Sequence, residues 1–191
     1  MSTGPAPPLV LASSSPRRAA LLALLGVAFR VEVPSVDETP LAGEPARDYV
    51  ARLAREKAAD VLAPGTLVLG ADTAIELDGA IVGKPADDND VRTTLRRLAG
   101  RTHLVHTGVA LLRFVGGEVV VTADGETTAV RFAAVTDKDI EWSLGTGEPR
   151  GKAGSYALQG VGSVFVTEVV GSTSNVIGLP LKAVRRLLAA R

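Results

Sequence analysis

Residues 9–18, LVLASSSPRR, constrain this chain more than any other stretch. The apolar run 9–12 reads as a short buried strand. Three serines, Pro16 and two arginines follow, and then the apolar stretch 19–25. Ser15 is a preferred N-cap residue and Pro16 suits the first helical position. The segment therefore predicts a strand feeding a helix whose N-terminus is open, hydroxyl-lined and doubly basic. Unpaired N–H groups and the helix dipole attract anions there. Arg17 and Arg18 add donors that match phosphate oxygens in pairs. The motif points to a polyphosphate ligand, although an ordinary junction with surface arginines has the same letters.

Composition narrows the alternatives. At 191 residues the chain is long enough for a real core. Its formal net charge is +0, whereas a non-specific nucleic-acid binder carries a basic excess, so no nucleic-acid partner is expected. With no cysteine, disulfides, thiolate metal sites and a Cys nucleophile all drop out. The opening MSTGPAPPLV has neither a basic n-region nor a long apolar h-region, so no signal peptide is expected. Its Pro/Gly content predicts a flexible tail over 1–8, and the length of the remaining 9–191 fits one domain or two small lobes. No apolar run is long enough to span a bilayer, so a membrane partner is not expected and the cytoplasm is the expected compartment.

Strands and helices alternate at first. Strands are predicted over 9–12, 29–33, 66–77 and 80–82, the last two joined at the hairpin signal Asp78-Gly79. Helices are predicted after Ser15, over 45–62, where apolar residues recur at helical spacing, and over 88–98. The texture then changes to long antiparallel strands over 103–115, 118–121 and 127–135. Thr136 with Asp139 resembles a capping box for a short helix to Leu144. A Gly-rich loop fills 145–154, a strand 163–169 and a last helix 180–190. This order gives a mixed α/β fold with a curved or split sheet, and the ligand cleft is expected where the two regions meet.

Common catalytic patterns are absent. There is no G-x-S-x-G, and neither Gly83-Lys84 nor Gly151-Lys152 completes a Walker A loop. The only histidines, His103 and His106, fall on opposite faces of a strand and read as surface or barely buried residues rather than a metal pair. What remains is a scattered set of acids and lysines. Asp37-Glu38 sits in a loop. Asp72 lies inside the apolar strand LVLGADTAIEL, where a carboxylate is costly unless it is paired, binds a metal or faces a cleft. Lys84 stands on a rigid Gly-Lys-Pro loop, or is simply solvated. Glu56-Lys57 on the long helix reads by itself as a solvated charged pair. Gln159 in YALQGVG is either a turn residue or an amide that reads a base or sugar. Together these groups supply oxygen ligands for Mg²⁺ or Mn²⁺ and cations for phosphates, a combination suited to cleaving a nucleotide phosphoanhydride.

Several segments, in order, resemble the Maf family of nucleoside triphosphate pyrophosphatases. They are LASSSPRR (11–18), SVDE (35–38), REKA (55–58), GADT (70–73), GKP (83–85), GRTHLVHTGVAL (100–111), YALQGVGSVFV (156–166) and SNVIGLPL (174–181). The resemblance covers nearly the whole chain. It implies an α/β fold of two lobes around a central cleft, similar to the inosine-triphosphate pyrophosphatases, with a divalent metal and a homodimer. The family's subgroup acting on dTTP and UTP carries Arg, Thr and Gln where this chain has Arg17, Thr73 and Gln159, so these are the expected specificity residues. By resemblance Asp72 is the proton acceptor. The chain departs at Gly83, where relatives often carry Glu before Lys-Pro.

The expected mechanism follows from that resemblance. Glu38 and Asp72 hold metal on the triphosphate, while Ser13, Ser15, Arg17, Arg18, Lys57 and Lys84 bind and neutralise its phosphates. Asp72 activates a water that attacks the α-phosphorus, and Thr73 and Gln159 read the base. The rival expectation is a nucleotide-binding regulator of septum formation and cell division with little turnover. An ordinary phosphatase releasing orthophosphate is a third possibility.

Overall fold

The four apolar residues of β1 (Leu9–Ala12) are all buried, as an inner strand of a sheet covered on both faces requires. The computed structural model describes residues 7–190; all but the last two residues of the expected tail over 1–8 lie outside that range. From β1 the chain enters α1 (Pro16–Ala23), returns through β2 (Phe29–Glu32), and crosses by α2 (Ala46–Asp60) to the long β3 (Leu67–Leu77). The hairpin partner β4 (Ala80–Val82), α3 (Asp88–Leu98), and the long pair β5 (Thr102–Val115) and β6 (Glu118–Phe132) follow. The chain closes with α4 (Asp137–Gly145), β7 (Val166–Val170), α5 (Thr173–Ile177) and α6 (Leu181–Ala189). The seven strands form one mixed sheet in the order β2-β1-β3-β5-β6-β7, with β4 also on β3. The sheet is open, and β2 and β7 are its edges.

The cleft arises from the way β3 is shared. Along one edge β3 pairs antiparallel with β5 from Leu67 to Glu76. Along the other it pairs parallel with β1 over Leu67–Gly70, and antiparallel with β4 over Ile75–Leu77. Residues 71–74 have no strand beside them on that edge. The sheet thus splits in the middle of β3, at Asp72 and Thr73, beside the carboxyl end of β1, where α/β folds place ligands.

Apolar clusters pin both halves of the split. On one face Leu9, Leu11, Leu67, Leu69, Val109 and Leu111 pack under α1 and α6. On the other, Val10, Val68, Ala110 and Leu112 pack under Ala54 and Ala58 of α2. Beyond the split, Ile75, Leu77, Val105 and Phe132 pack with α3 and α4. Helix α2 lies close to the sheet because two glycines face it. A Cβ on Gly70 would stand 2.1 Å from the Ala54 carbonyl oxygen, and one on Gly108 would stand 2.5 Å from that of Val50.

Four readings need correction. Residues 118–132 form one strand rather than two, because the ladder with β5 runs from Val115↔Glu118 to Thr102↔Arg131 and carries the pairing through 122–126. The strand expected over 163–169 begins only at Val166, since 161–165 wind into a 3₁₀ turn whose first N–H groups meet the distant Glu148 carboxylate. Helix α5, which the sequence reading lacked, is a single short turn capped by Ser172. The two histidines do lie on opposite faces, but both are buried rather than at the surface. His103 bonds the Tyr156 hydroxyl at 2.8 Å, and His106 sits between Glu76 and Thr127. Their partners are 21 to 53 residues away, out of reach of local pattern.

Candidate active site

The strand-to-helix junction takes the form its sequence predicts. Ser15 is the N-cap of α1, Pro16 opens the helix, and the Ser15 side chain accepts the Arg18 N–H. Ser13 is buried, and its hydroxyl accepts the Ser15 N–H at 3.1 Å. The triple serine thus curls into a loop at a positive helix end. Arg17 is exposed and lines the cleft. Arg18 turns inward instead. Its Nε donates to the Gly178 carbonyl at 2.8 Å and its NH2 donates to Thr73 Oγ1 at 3.1 Å. Burial pulls this guanidinium below its ordinary value, against the opposing pull of Asp72.

On the α2 side of the split, Lys57 is buried. It occupies the helical stripe Val50, Leu53, Ala54, Lys57, Ala58, so burial of α2 carries an ammonium into the interior. Its Nζ donates to Asp72 Oδ1 at 2.6 Å and pairs with Glu38 Oε1 at 2.6 Å. Lys84, on the exposed loop after β4, reaches Glu38 Oε2 at 3.1 Å. Partial burial pushes the Glu38 carboxyl up, but Lys57 and Lys84 outweigh it and hold it below the usual carboxylate range. Two carboxylates and two ammonium groups therefore alternate along the cleft. The solvated reading of Glu56-Lys57 fails for Lys57, which lies on the inward stripe.

The loop that carries Glu38 is tied to α2. Arg52 grips both oxygens of Glu44 at 2.7 Å and draws that carboxyl down to about 2. The Tyr49 hydroxyl donates to the Glu38 carbonyl at 2.9 Å. Burial, reinforced by the negative Asp72 and Glu38, pushes the Tyr49 phenol up to about 12, so it remains a donor.

Asp72 and Thr73 are consecutive on β3 and point to opposite faces, which places both beside the split. Thr73 faces Thr107 across the ladder, and their hydroxyls meet at 2.9 Å. Thr107 donates in turn to the Asn175 carbonyl at 3.1 Å. Thr73 thus lines the cleft with its hydroxyl already engaged by Arg18 and Thr107. Gln159 is exposed on the opposite wall, in the loop between Tyr156 and the 3₁₀ turn.

The cleft encloses about 520 Å³ and brings together Ser13, Ser15, Arg17, Arg18, Glu38, Lys57, Asp72, Thr73, Lys84 and Gln159. Sequence reasoning missed Tyr49, Lys152 and the Gly178 carbonyl. Only Lys152, in a Gly-rich loop, gave any local signal.

The donor set suits a hard divalent cation. Among the described residues no group of three or more His, Cys, Asp or Glu side chains converges. Glu38 and Asp72 nonetheless converge on one ammonium, and Asp72 Oδ2 accepts no hydrogen bond from any described residue. Mg²⁺ is ordinarily held in this way, by one or two carboxylates plus phosphate oxygens and water.

Comparison with known proteins agrees with these motifs. Residues 8–191 match the family of Maf-like proteins. The chain belongs to that family. This Maf-like protein is 52% identical over 183 residues to the dTTP/UTP pyrophosphatase of Anaeromyxobacter dehalogenans (strain 2CP-1), covering 96% of this chain and 93% of the relative. It is 50% identical over 175 residues to the dTTP/UTP pyrophosphatase of Myxococcus xanthus, covering 91% and 87%. It is 46% identical over 182 residues to that of Symbiobacterium thermophilum, covering 94% and 92%. No helix among the described residues of this Maf-like protein is long and apolar enough to cross a membrane.

Proposed function

We infer that this protein hydrolyses dTTP and UTP at the α–β phosphoanhydride, giving the nucleoside monophosphate and pyrophosphate. One observation carries the reading. Asp72, a buried carboxylate in the middle of β3, is held by Lys57 at the split in the sheet, in the same cleft as the hydroxyl-lined start of α1. The names of the relatives support the same substrates.

The N-terminus of α1, with Ser13 and Ser15, holds the phosphate chain, and Arg17 and Lys84 neutralise it. Asp72 takes the proton of a water that attacks the α-phosphorus, and the bond to the bridging oxygen of the β-phosphate breaks. Glu38 and Asp72 would hold Mg²⁺ or Mn²⁺, which when bound supplies charge neutralisation for the departing pyrophosphate. Lys57 keeps both carboxylates in place. Gln159 reads the base edge. Thr73 serves substrate choice by fixing Arg18, since its own hydroxyl is engaged. The reading includes a cytoplasmic enzyme and a homodimer. The exposed apolar tip of the β5–β6 pair, with Phe114, Val119, Val120 and Val121, supports the homodimer, and sedimentation will test it.

The decisive experiment incubates purified protein and Mg²⁺ or Mn²⁺ with a panel of nucleoside triphosphates. Pyrophosphate and monophosphate should appear fastest from dTTP and UTP. Release of orthophosphate overturns the reading in favour of a phosphatase, and tight binding without products overturns it in favour of a regulator.

A further inference from the structure

We propose that Glu148 is a positioning residue for substrate selectivity, acting through the Gln159 loop. The proposal rests on Gln159 reading the base. Glu148 lies eleven residues before Gln159, in the turn-rich segment after α4, and does not line the cleft. Its carboxylate nevertheless makes the contacts that fix the opposite wall. Oε2 accepts the Val161 N–H at 2.7 Å and Oε1 accepts the Gly162 N–H at 2.8 Å. These are among the first N–H groups of the 3₁₀ turn that follows Gln159, and they have no partner within that turn. A carboxylate that accepts two such groups forms a charge-assisted fork. Lys152, which lines the cleft, donates its Nζ to the Glu148 carbonyl. One residue thus ties together both segments of the late loop that face substrate.

Gly160 shows how tightly the fork closes. Its backbone is extended, with φ −127° and ψ −158°, a conformation open to any residue. A Cβ there would stand 1.7 Å from Glu148 Oε2, and the three atoms nearest to it all belong to the Glu148 carboxyl group. The glycine after Gln159 is therefore required by the carboxylate and not by the local fold. The loop closes on Glu148, and Gln159, the residue just before the fork, takes its position from it.

The test compares kcat/KM for UTP with that for GTP in Glu148→Gln, Gly160→Ala, Gln159→Ala and the double variant Glu148→Gln/Gln159→Ala. The amide of the first turns a donor toward one of the two N–H groups. The methyl of the second expels the carboxylate with no change to Glu148 itself. Each single variant should lower the UTP-to-GTP ratio about tenfold, the upper range for one neutral hydrogen bond to the base. For Glu148→Gln the loss should appear in KM, with kcat kept within about threefold. The double variant should be no worse than the poorer single one, because both remove the same contact with the base. Should Glu148→Gln fail to fold, Gly160→Ala carries the test alone. An unchanged ratio in Glu148→Gln or Gly160→Ala, while Gln159→Ala lowers it, overturns the role of Glu148. Additive losses do the same, since Glu148 would then not act through Gln159. A ratio unmoved by Gln159→Ala overturns the base reading, and the role of Glu148 with it.

Discussion

At the scale of single residues, Asp72 and Lys57 explain each other. A lone carboxylate in a buried strand is costly, and so is a lone ammonium in the apolar stripe of a helix, but together they form a buried pair at 2.6 Å. Such a pair is weak evidence for stability and better evidence for chemistry. Asp72→Asn should therefore keep the fold, as circular dichroism will show, while kcat for UTP falls by about 10²- to 10⁴-fold, the range of a lost general base. Full activity in that variant sinks the assignment. Lys57→Met should behave differently, because it leaves Asp72 buried without its cation. We expect a stability loss of about 3 kcal/mol by urea denaturation, together with loss of turnover. Asp72 was legible in the sequence as a charge inside a largely apolar strand. Lys57 was legible as well, had its place in the stripe with Val50, Leu53, Ala54 and Ala58 been weighed above its charged neighbour Glu56.

At the scale of elements, the distance between α2 and the sheet is what joins these two residues. Gly70 and Gly108 remove the side chains that would hold the helix away. The three atoms nearest a Cβ at Gly108 are all backbone, of Val50 and Ala51, and within 2.9 Å, so an added methyl has to move the helix. Gly108→Ala should cost about 2 kcal/mol in stability and should lower kcat by displacing Lys57 from Asp72. A wild-type melting temperature and rate would show that the helix does not set the pair. Most elements were readable from periodicity and caps. The junction Ser15-Pro16, the capping box of Thr136 with Asp139 and the turn at Asp78-Gly79 all form as expected. The failures were the short α5, the unbroken β6 and the start of β7. Over residues 122–126 of β6 and at the start of β7, partners 11 residues or more distant decide the conformation, through the β5 ladder in one case and the Glu148 carboxylate in the other.

At the scale of the whole molecule, the buried imidazole of His103 links folding to acidity. Burial alone depresses it to about 4, amid Phe132 and Tyr156. The unfolded chain protonates this group near its ordinary value of about 6.5, so unfolding takes up a proton as the pH falls below that point. Stability from this group is present above about pH 6.5 and is lost toward pH 4, at about 1.4 kcal/mol per pH unit. His103→Phe should flatten that part of the stability curve in urea titrations between pH 7.5 and 4.5. An unchanged slope would mean that the imidazole titrates in the folded protein. The sequence by itself determined the alternating α/β order, the hydroxyl-lined start of α1 and the residue types of a phosphoanhydride site, because caps, periodicity and isolated charges are local signals. Tertiary structure alone decided which of those charges meet. The split of β3 between β1 and β4 opens the cleft at Asp72, the glycine-lined approach of α2 delivers Lys57 to it, and Glu148 closes the wall that carries Gln159. Each of these depends on contacts between residues distant along the chain, and such contacts are fixed only when the sheet and its helices pack together.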